Sequence, residues 1–276
     1  TDTRIAIVKL LFLNNMLALG IDIGASKVAA ALVKSDRILR NVKIAYQHKT
    51  VAGVNAAILA AAGSVVGKSK IAGIGLGVPC ALGKNKKILA CANIPALNPG
   101  EIAKVLGRTY RTPVIIENDV KAAALAELKY GIGRKTKNFV FLAFGTGIGG
   151  AIVIDGKLYK GTLGWAGEFG HTKMPMEWEK IASAQFLRTH KGKDAIDKLA
   201  QNIAVGLLNI TYALAPEYIV IGGGLSSLCD KKFEAKVIST MKRLRISSKL
   251  PLPKITRSRF GENAGTIGAA LLPSIA

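Results

Sequence analysis

The stretch from Phe144 to His171 limits what this chain can fold into more than any other segment. Residues 139–144 are mostly apolar and predict a buried strand that runs directly into the glycine-rich segment GTGIGG at 145–150. Glycine lets backbone N–H groups approach and converge on an anion, and the hydroxyl of Thr146 adds a further donor. A glycine-rich hairpin turn without a ligand is the alternative, and GTGIGG alone favours neither.

The residues that follow favour a ligand site. Alternating apolar residues predict a hairpin that turns at Asp155 and Gly156. The next loop carries Glu168 and His171, which both have hydrogen-bonding side chains, and three glycines flank them. This composition suits a loop that packs closely around a small polar ligand.

GTGIGG followed at this distance by GEFGH resembles the signature of the ROK family of sugar kinases, in the superfamily of hexokinase, actin and Hsp70. The resemblance extends over essentially the whole chain from Met16 onward. It implies an α/β fold of two actin-like ATPase (ribonuclease H-like) domains with an interdomain cleft. It also implies transfer of the γ-phosphate of ATP, as ATP–Mg²⁺, to a sugar hydroxyl.

The expected domains are residues 1–117 and 118–262, with the helix at 263–276 returning to pack on the first domain. Residues 1–15 contain an apolar run that is too short to span a bilayer and lacks a small-residue cleavage site. We therefore expect an extension ahead of Met16 and no membrane segment.

By resemblance, three loops bind the nucleotide. The first is the DxGxxK element, in which Asp22 would hold the Mg²⁺ ion through water, and the third would lie against the adenosine. Taken alone, each loop can equally be an ordinary tight turn. The expected residues are Asp22, Gly24, Ser26 and Lys27 in the first loop, Gly145, Thr146 and Gly147 in the second, and Gly222, Gly223 and Gly224 in the third.

Asn118 and Asp119 lie between a short predicted strand and a predicted helix, and ENDVKAAALAE matches the ROK segment that bears the general base. The resemblance implies that Asp119 accepts the proton of the attacking hydroxyl and that Asn118 binds the sugar. Either side chain can also simply cap the helix. The other expected sugar ligands are Asn93, Glu168, His171 and Glu179, with Glu177 as the alternative to Glu179.

The segment after His171 departs from the family pattern. Many relatives carry a zinc-binding CxCGxxGC motif there, and this chain has no cysteine in that segment, so no zinc site is expected. The three cysteines are Cys80, Cys91 and Cys229, and their wide spacing predicts neither a disulfide framework nor a metal knot. A reducing cytoplasm is the expected location. The segment at 185–197 is shorter than in most relatives, which leaves the nucleotide-base pocket and a homodimer open.

The formal net charge is +22, from 39 Lys and Arg against 17 Asp and Glu. Such a surface attracts anions in general, and because the charges are scattered we expect no specific nucleic-acid partner. The predicted activity is that of a glucokinase-like enzyme acting on the 6-hydroxyl of a hexose, or on an N-acetyl-hexosamine. A polyphosphate-dependent glucokinase and a non-catalytic sugar-binding regulator are the alternatives, although the residues before Met16 are too few for the winged helix of such regulators.

Overall fold

The computed structural model describes residues 17–46, 50–91, 94, 97–225 and 230–275. The predicted extension at 1–15 and the predicted sugar ligand Asn93 lie outside these residues. Within them the chain forms two compact units. Unit 1 comprises the chain up to Gly131, the segment Lys160–Trp165 and the chain from Asn263. Unit 2 comprises Ile132–Tyr159 and Ala166–Glu262.

Each unit is built on one five-stranded sheet. In unit 1 the strand order is β3-β2-β1-β4-β7, and in unit 2 it is β10-β9-β8-β11-β12. In both sheets the first three strands in sequence are antiparallel hairpin neighbours. The fourth strand of each sheet pairs in parallel with the first, and the fifth pairs in parallel with the fourth. The two units therefore repeat one architecture, and the predicted α/β class is confirmed. The strands are β1 Leu17–Ile23, β2 Lys27–Lys34, β3 Arg37–Ala45, β4 Gly73–Val78, β7 Val114–Asn118, β8 Phe139–Phe144, β9 Ile148–Ile154, β10 Lys157–Tyr159, β11 Tyr218–Gly222 and β12 Lys254–Arg257.

Several of the helices begin where a side-chain cap satisfies one of their first N–H groups. Thr50, Asn98, Asn118 and Asp230 each accept a hydrogen bond from the backbone of the first turn that follows. The helices are α1 Val51–Val66, α2 Pro99–Tyr110, α3 Asp119–Tyr130, α4 Trp178–Ala182, α5 Ala184–Thr189, α6 Lys193–Leu214, α7 Lys231–Leu244 and α8 Ala264–Ile275. Among these described helices, none combines the length and the apolarity that a bilayer crossing needs.

Helix α8 packs at backbone distance on unit 1. A Cβ atom at Gly20 would lie 1.9 Å from the carbonyl oxygen of Thr266, and one at Gly75 would lie 1.7 Å from that of Ala269. Glycines on strands β1 and β4 therefore admit the helix directly onto the sheet. This contact places the end of the chain in unit 1.

The division of the chain differs from the predicted boundary at residue 117. Helix α3 belongs to unit 1, because Gly268 of α8 packs against its backbone, with an added Cβ only 1.7 Å from the carbonyl oxygen of Ala122. The short segment Lys160–Trp165 also belongs to unit 1, although unit 2 surrounds it in sequence.

The prediction of no disulfide is wrong. The structure joins Cys80 and Cys91, whose Cα atoms lie 4.3 Å apart. The cause is a small hairpin of β5 Ala81–Leu82 and β6 Ile88–Ala90, in which Ala81 pairs with Ala90. The two cysteines flank that pair, so the antiparallel ladder brings them opposite one another.

Candidate active site

The first group of predicted site residues lies at the carboxyl ends of the parallel strands of unit 1. Asp22 on β1 is in register with Gly77 on β4, and Gly77 is in register with Glu117 on β7. A Cβ atom at Gly77 would lie 3.4 Å from the Cα atom of Asp119, so Asp119 packs directly over this glycine. Unit 1 thus brings Asp22, Asn118 and Asp119 to one edge, where α/β sheets commonly bind ligands.

The predicted first phosphate loop is a tight turn between β1 and β2. The N–H of Gly24 donates to the carbonyl of Lys27 at 2.9 Å, and the hydroxyl of Tyr46 donates to the carbonyl of Gly24. The N–H of Tyr46 donates to the carbonyl of Ser26 at 3.1 Å. These bonds fix the loop backbone, whereas the side chains of Ser26 and Lys27 remain exposed and available to an anion.

Asp22 is the acidic residue at the mouth of this loop. Burial raises its pKa from 3.8 to about 6, and the nearby charges of Lys27 and Lys43 act in the opposite direction. A Cβ atom at Gly265 would lie 2.2 Å from the carboxylate, so the start of α8 packs against it. A carboxylate that is costly to ionise without a partner is suited to a cation or its water shell.

Asn118 and Asp119 are placed by the start of α3. The Oδ1 atom of Asn118 accepts from the N–H of Lys121 at 2.9 Å, and its Nδ2 group donates to the carbonyl of Cys80 at 3.2 Å. Asn118 is therefore the helix cap, as one of the two sequence interpretations held. Asp119 follows as the first residue of the helix, with its Oδ1 accepting from the N–H of Val120 at 2.8 Å. Asp119 is partly exposed.

The second group of predicted site residues belongs to unit 2, beginning with the turn between β8 and β9. The N–H of Gly145 donates to the carbonyl of Gly147 at 2.9 Å, so this N–H is used within the turn. The turn is held from the other side by the start of α5: Ser183 donates to the carbonyl of Thr146 at 2.9 Å, and Ala184 donates to that of Gly145. The side chain of Thr146 stays exposed.

Glu179 joins the glycine turn to the loop that carries His171. Its Oε2 atom accepts from the N–H of Ile148 at 3.2 Å, and its Oε1 atom lies 4.0 Å from Nδ1 of His171. A Cβ atom at Gly147 would lie 2.4 Å from this carboxylate, and one at Gly170 would lie 3.1 Å from it. The glycines therefore make room for the carboxylate between the two loops.

Glu177, the alternative to Glu179, is engaged elsewhere. Lys173 donates to it at 2.6 Å and Lys180 lies 3.3 Å away, and hydrogen bonds from these two lysines lower its pKa to about 2. Ligand atoms of His171, Glu177 and Glu179 lie within 4.8 Å of one another, which one cation could contact. The two lysine charges oppose a cation there, and Glu179 is the residue that faces the glycine turn.

Glu168 begins the 3-10 turn Phe169–His171 that follows the close contact between the loops. Gly167 has a φ of +98°, and a Cβ on it would lie 2.7 Å from the carbonyl oxygen of Gly150. Phe169 packs over Gly150. The GEFGH segment is thus seated directly on β9, because glycine allows the two backbones to approach.

Trp178 fixes where Glu179 points. Its indole N–H donates to the carbonyl of Asn202 at 3.0 Å, its ring meets that of Phe144 edge-on at 5.7 Å, and it is 1% exposed. With Trp178 buried in the core of unit 2, the next residue of the helix, Glu179, projects about 100° further around the axis, where it reaches the N–H of Ile148.

The third predicted loop, at 222–224, closes against the end of β8. Gly223 has a φ of +82°, and a Cβ on it would lie 2.3 Å from the carbonyl oxygen of Phe144. The next residue, Leu225, lines a cavity of about 270 Å³ together with side chains from α5, α6 and α7. Its lining carries charges of both signs, including Lys193, Lys232, Asp197 and Asp230. The shortened segment at 185–197 therefore still contributes to a recess beside the glycine loop.

One cluster of charges around a buried carboxylate was missed by the sequence analysis. Glu117 is 3% exposed and lies directly before Asn118, and its carboxylate binds Lys86 and Lys160. The signal was present in the ENDV segment as an acidic residue that ends an apolar strand. Its two partners, 31 and 43 residues away in sequence, could not be inferred from that segment.

The ROK family model matches residues 18–185 and 176–274 of the chain. A glucokinase of Streptomyces coelicolor is 28% identical over 307 aligned positions, which cover 92% of this chain and 96% of that protein. An N-acetyl-D-glucosamine kinase of Photobacterium profundum is 27% identical, covering 72% of this chain and 79% of that one. The fold is similar to the crystal structure of a ROK family glucokinase from Streptomyces griseus in complex with glucose and AMPPNP. The TM-score is 0.81 at 25% identity, covering 92% of this chain and 98% of that chain.

Proposed function

Because this chain belongs to the ROK family, we propose that it is an ATP-dependent sugar kinase that transfers the γ-phosphoryl group to a hexose or N-acetyl-hexosamine. The acceptor we propose is the 6-hydroxyl, as in a glucokinase. The relatives support both sugar classes, since they include a glucokinase and an N-acetyl-D-glucosamine kinase.

One observation carries the proposal: Asp119 lies at the positive end of helix α3, beside its cap Asn118 and over Gly77, on the sheet edge that also bears Asp22. A helix N-terminus favours the ionised form of a carboxylate, which a general base requires. The amide of the neighbouring Asn118 already bonds Lys121 and Cys80, and its second donor hydrogen and second acceptor lone pair are of the kind that recognise a sugar hydroxyl.

In this mechanism Asp119 takes the proton of the acceptor hydroxyl while the oxygen of that hydroxyl bonds to the γ-phosphorus. The bond between that phosphorus and the bridging oxygen breaks, and ADP leaves with the electron pair. Asn118, Glu168, His171 and Glu179 orient the sugar through its hydroxyls. Since each such hydroxyl needs a polar partner, these side chains set discrimination between epimers.

The donor side is assigned to the three loops. Ser26 and Lys27 would contact phosphate oxygens from one loop, and Thr146 would do so from another. The loop at 222–224 would lie against the nucleoside, with the adjacent cavity for its base. Asp22 fits Mg²⁺, which prefers few carboxylates and keeps several waters. When bound, that ion neutralises charge on the phosphoryl oxygens.

The test is a coupled ADP-release assay with ATP, Mg²⁺ and a panel of hexoses and N-acetyl-hexosamines. We expect one sugar class to stimulate ADP release, and Asp119→Asn to lower kcat by about 10²- to 10⁴-fold, the usual contribution of a general base. Equilibrium sugar binding should change little in that variant, because the amide keeps the shape and hydrogen-bonding capacity of the side chain.

Asp155→Asn is the matched control, since Asp155 is exposed in the turn between β9 and β10 and asparagine tolerates its positive φ of 52°. Turnover near wild type in Asp119→Asn would contradict the assignment of the base. Sugar binding without any turnover in the wild-type protein would instead favour a non-catalytic sugar-binding role.

A further inference from the structure

Glu117 forms a cluster with two lysines directly beside the proposed base. Its Oε2 atom accepts from Nζ of Lys86 at 2.6 Å and from Nζ of Lys160 at 2.5 Å, and its Oε1 atom accepts from the N–H of Asn118 at 3.0 Å. We propose that Glu117 is a positioning residue, which fixes Asn118 and Asp119 by tying two loops to the end of β7. The proposal rests on the function proposed above, in which Asp119 is the base.

Burying the charged carboxylate of Glu117 costs free energy, and its bonds to the two lysines offset that cost. Burial acts to raise its pKa, yet the charges and hydrogen bonds of Lys86 and Lys160 outweigh burial and hold the pKa below its ordinary value. Glu117 therefore stays charged and holds both ammonium groups. Burial also lowers the pKa of Lys86, against the influence of Glu117.

The two lysines come from segments that the cluster holds together. Lys86 ends the 3-10 turn at 84–86 between β5 and β6, and Lys160 begins the segment Lys160–Trp165 of unit 1. That segment also contacts the hairpin through Gly164, whose φ is +93° and whose added Cβ would lie 2.7 Å from the backbone of Gly83. The two loops thus meet over the end of β7.

Helix α3 is tied to the same segment from its first turn. Lys121 is fully buried, and its Nζ atom lies 3.4 Å from the carbonyl oxygen of Gly164. The backbone N–H of Lys121 donates to Oδ1 of the capping Asn118. The bonds from Glu117, Asn118 and Lys121 therefore surround the residue where strand becomes helix. That residue is Asp119, whose position these contacts define.

An apolar residue would satisfy the fold more simply. Residues 114–116 of β7 are Val, Ile and Ile, whereas Glu117 is a buried carboxylate whose two lysine partners are about 40% exposed. Because ion pairs that reach solvent contribute little to stability, this charged cluster at the end of β7 is better explained by orientation than by stability. Small misplacements of catalytic groups cost rate steeply, by about 10²-fold for 1 Å.

The first measurement compares wild type with Glu117→Gln and with the double variant Lys86→Met/Lys160→Met. We expect kcat to fall by about 10- to 100-fold in both, while the KM for ATP changes less than about threefold, because the bonds of Glu117 to the two lysines and to Asn118 involve no residue of the donor loops. Lys86→Arg/Lys160→Arg keeps both charges and should restore most of kcat. In a Glu117→Gln background, removing the lysines should lower kcat little further, because the three groups act as a unit.

We call Glu117, Lys86 and Lys160 the clamp, and we call Glu117→Gln and Lys86→Met/Lys160→Met the clamp variants. Lys84→Met and Lys157→Met are the matched controls, since both lysines are exposed and each lies within three residues of Lys86 or Lys160. Amide hydrogen exchange across 117–121 is the second readout, which needs no turnover. We expect exchange to rise at least about tenfold in the clamp variants and to stay unchanged in the controls, as local opening becomes easier.

The outcomes separate the two proposals. Folded Glu117→Gln with kcat and exchange like wild type would overturn the positioning role, as would equal effects in the clamp and control variants. If Glu117→Gln does not fold, the double lysine variant decides, because both side chains are about 40% exposed and replaceable. A wild type that phosphorylates no sugar, with exchange still rising in the clamp variants, would refute the kinase function and leave the positioning of Asp119 standing.

Discussion

Asp22 shows how one residue can report on the donor site before any ligand binds. Burial raises its pKa from 3.8 to about 6. A carboxyl group with a raised pKa contributes its full stability below the unfolded value and loses that contribution as the pH rises through the folded value. Without Mg²⁺, the free energy of unfolding of wild type relative to Asp22→Asn should therefore decrease by up to about 3 kcal/mol between about pH 4 and pH 7.

Urea unfolding of both proteins over this pH range measures the difference directly. Asp155→Asn serves as the control, because its carboxylate is exposed in a turn and should follow the wild type closely. A constant gap between wild type and Asp22→Asn would show that the folded environment does not oppose the charge of Asp22.

At the level of secondary-structure elements, the contact of α8 with the sheet of unit 1 depends on glycine. A methyl group at Gly75 would lie 1.7 Å from the carbonyl oxygen of Ala269, so helix and strand would have to separate. We expect Gly75→Ala to destabilise the protein by about 1–3 kcal/mol, the usual cost of overpacking, or more. The measurement is the urea midpoint of purified protein.

Gly63 in α1 provides the opposite case. A Cβ atom there would meet nothing within 4 Å, so Gly63→Ala should stabilise the helix by up to about 1 kcal/mol. The two substitutions add the same methyl group, and opposite signs are the expected result. Equal effects would mean that backbone entropy, rather than the close approach of α8, decides at both positions.

Elements with a strong local signal could be predicted from the sequence. The helices Val51–Val66 and Lys231–Leu244 carry such a signal, because Thr50 and Asp230 are cap residues directly ahead of their first turns. The strands β5 and β6 were not resolved as a pair, since two- and three-residue strands carry no period. The disulfide was missed for the same reason, because only that hairpin brings Cys80 and Cys91 together.

The candidate site followed the same division. Asp119 and Glu168 could be located by motif because their neighbours in sequence identify them. Glu117 could not be recognised as part of a cluster, since Lys86 and Lys160 reach it from distant segments. Contacts between segments far apart in sequence are set by the sheet order, which no local pattern shows.

The whole molecule repeats one sheet order in two units whose sequences share no obvious pattern. Unit 1 buries apolar side chains of its own between the sheet and α1, and unit 2 does so between its sheet and helices α6 and α7. In both units the predicted phosphate loops, at 22–27 and 145–147, join the first strand to the second. The repeated architecture therefore explains why the chain offers two such loops.

A net charge of +22 attracts anions in general, and at this scale we expect it to favour the approach of the anionic donor. We expect kcat/KM for ATP to fall several-fold between about 50 mM and 300 mM KCl, while kcat changes little, because salt screens steering of an anion. The uncharged sugar is an internal control, whose KM at saturating ATP should stay constant.

Inorganic polyphosphate is tested in parallel as an alternative donor. If the enzyme accepts it, turnover with polyphosphate should be abolished by Asp119→Asn and should fall with salt more steeply than turnover with ATP. If the KM for the donor does not change with KCl concentration, the excess positive charge lies away from the nucleotide loops.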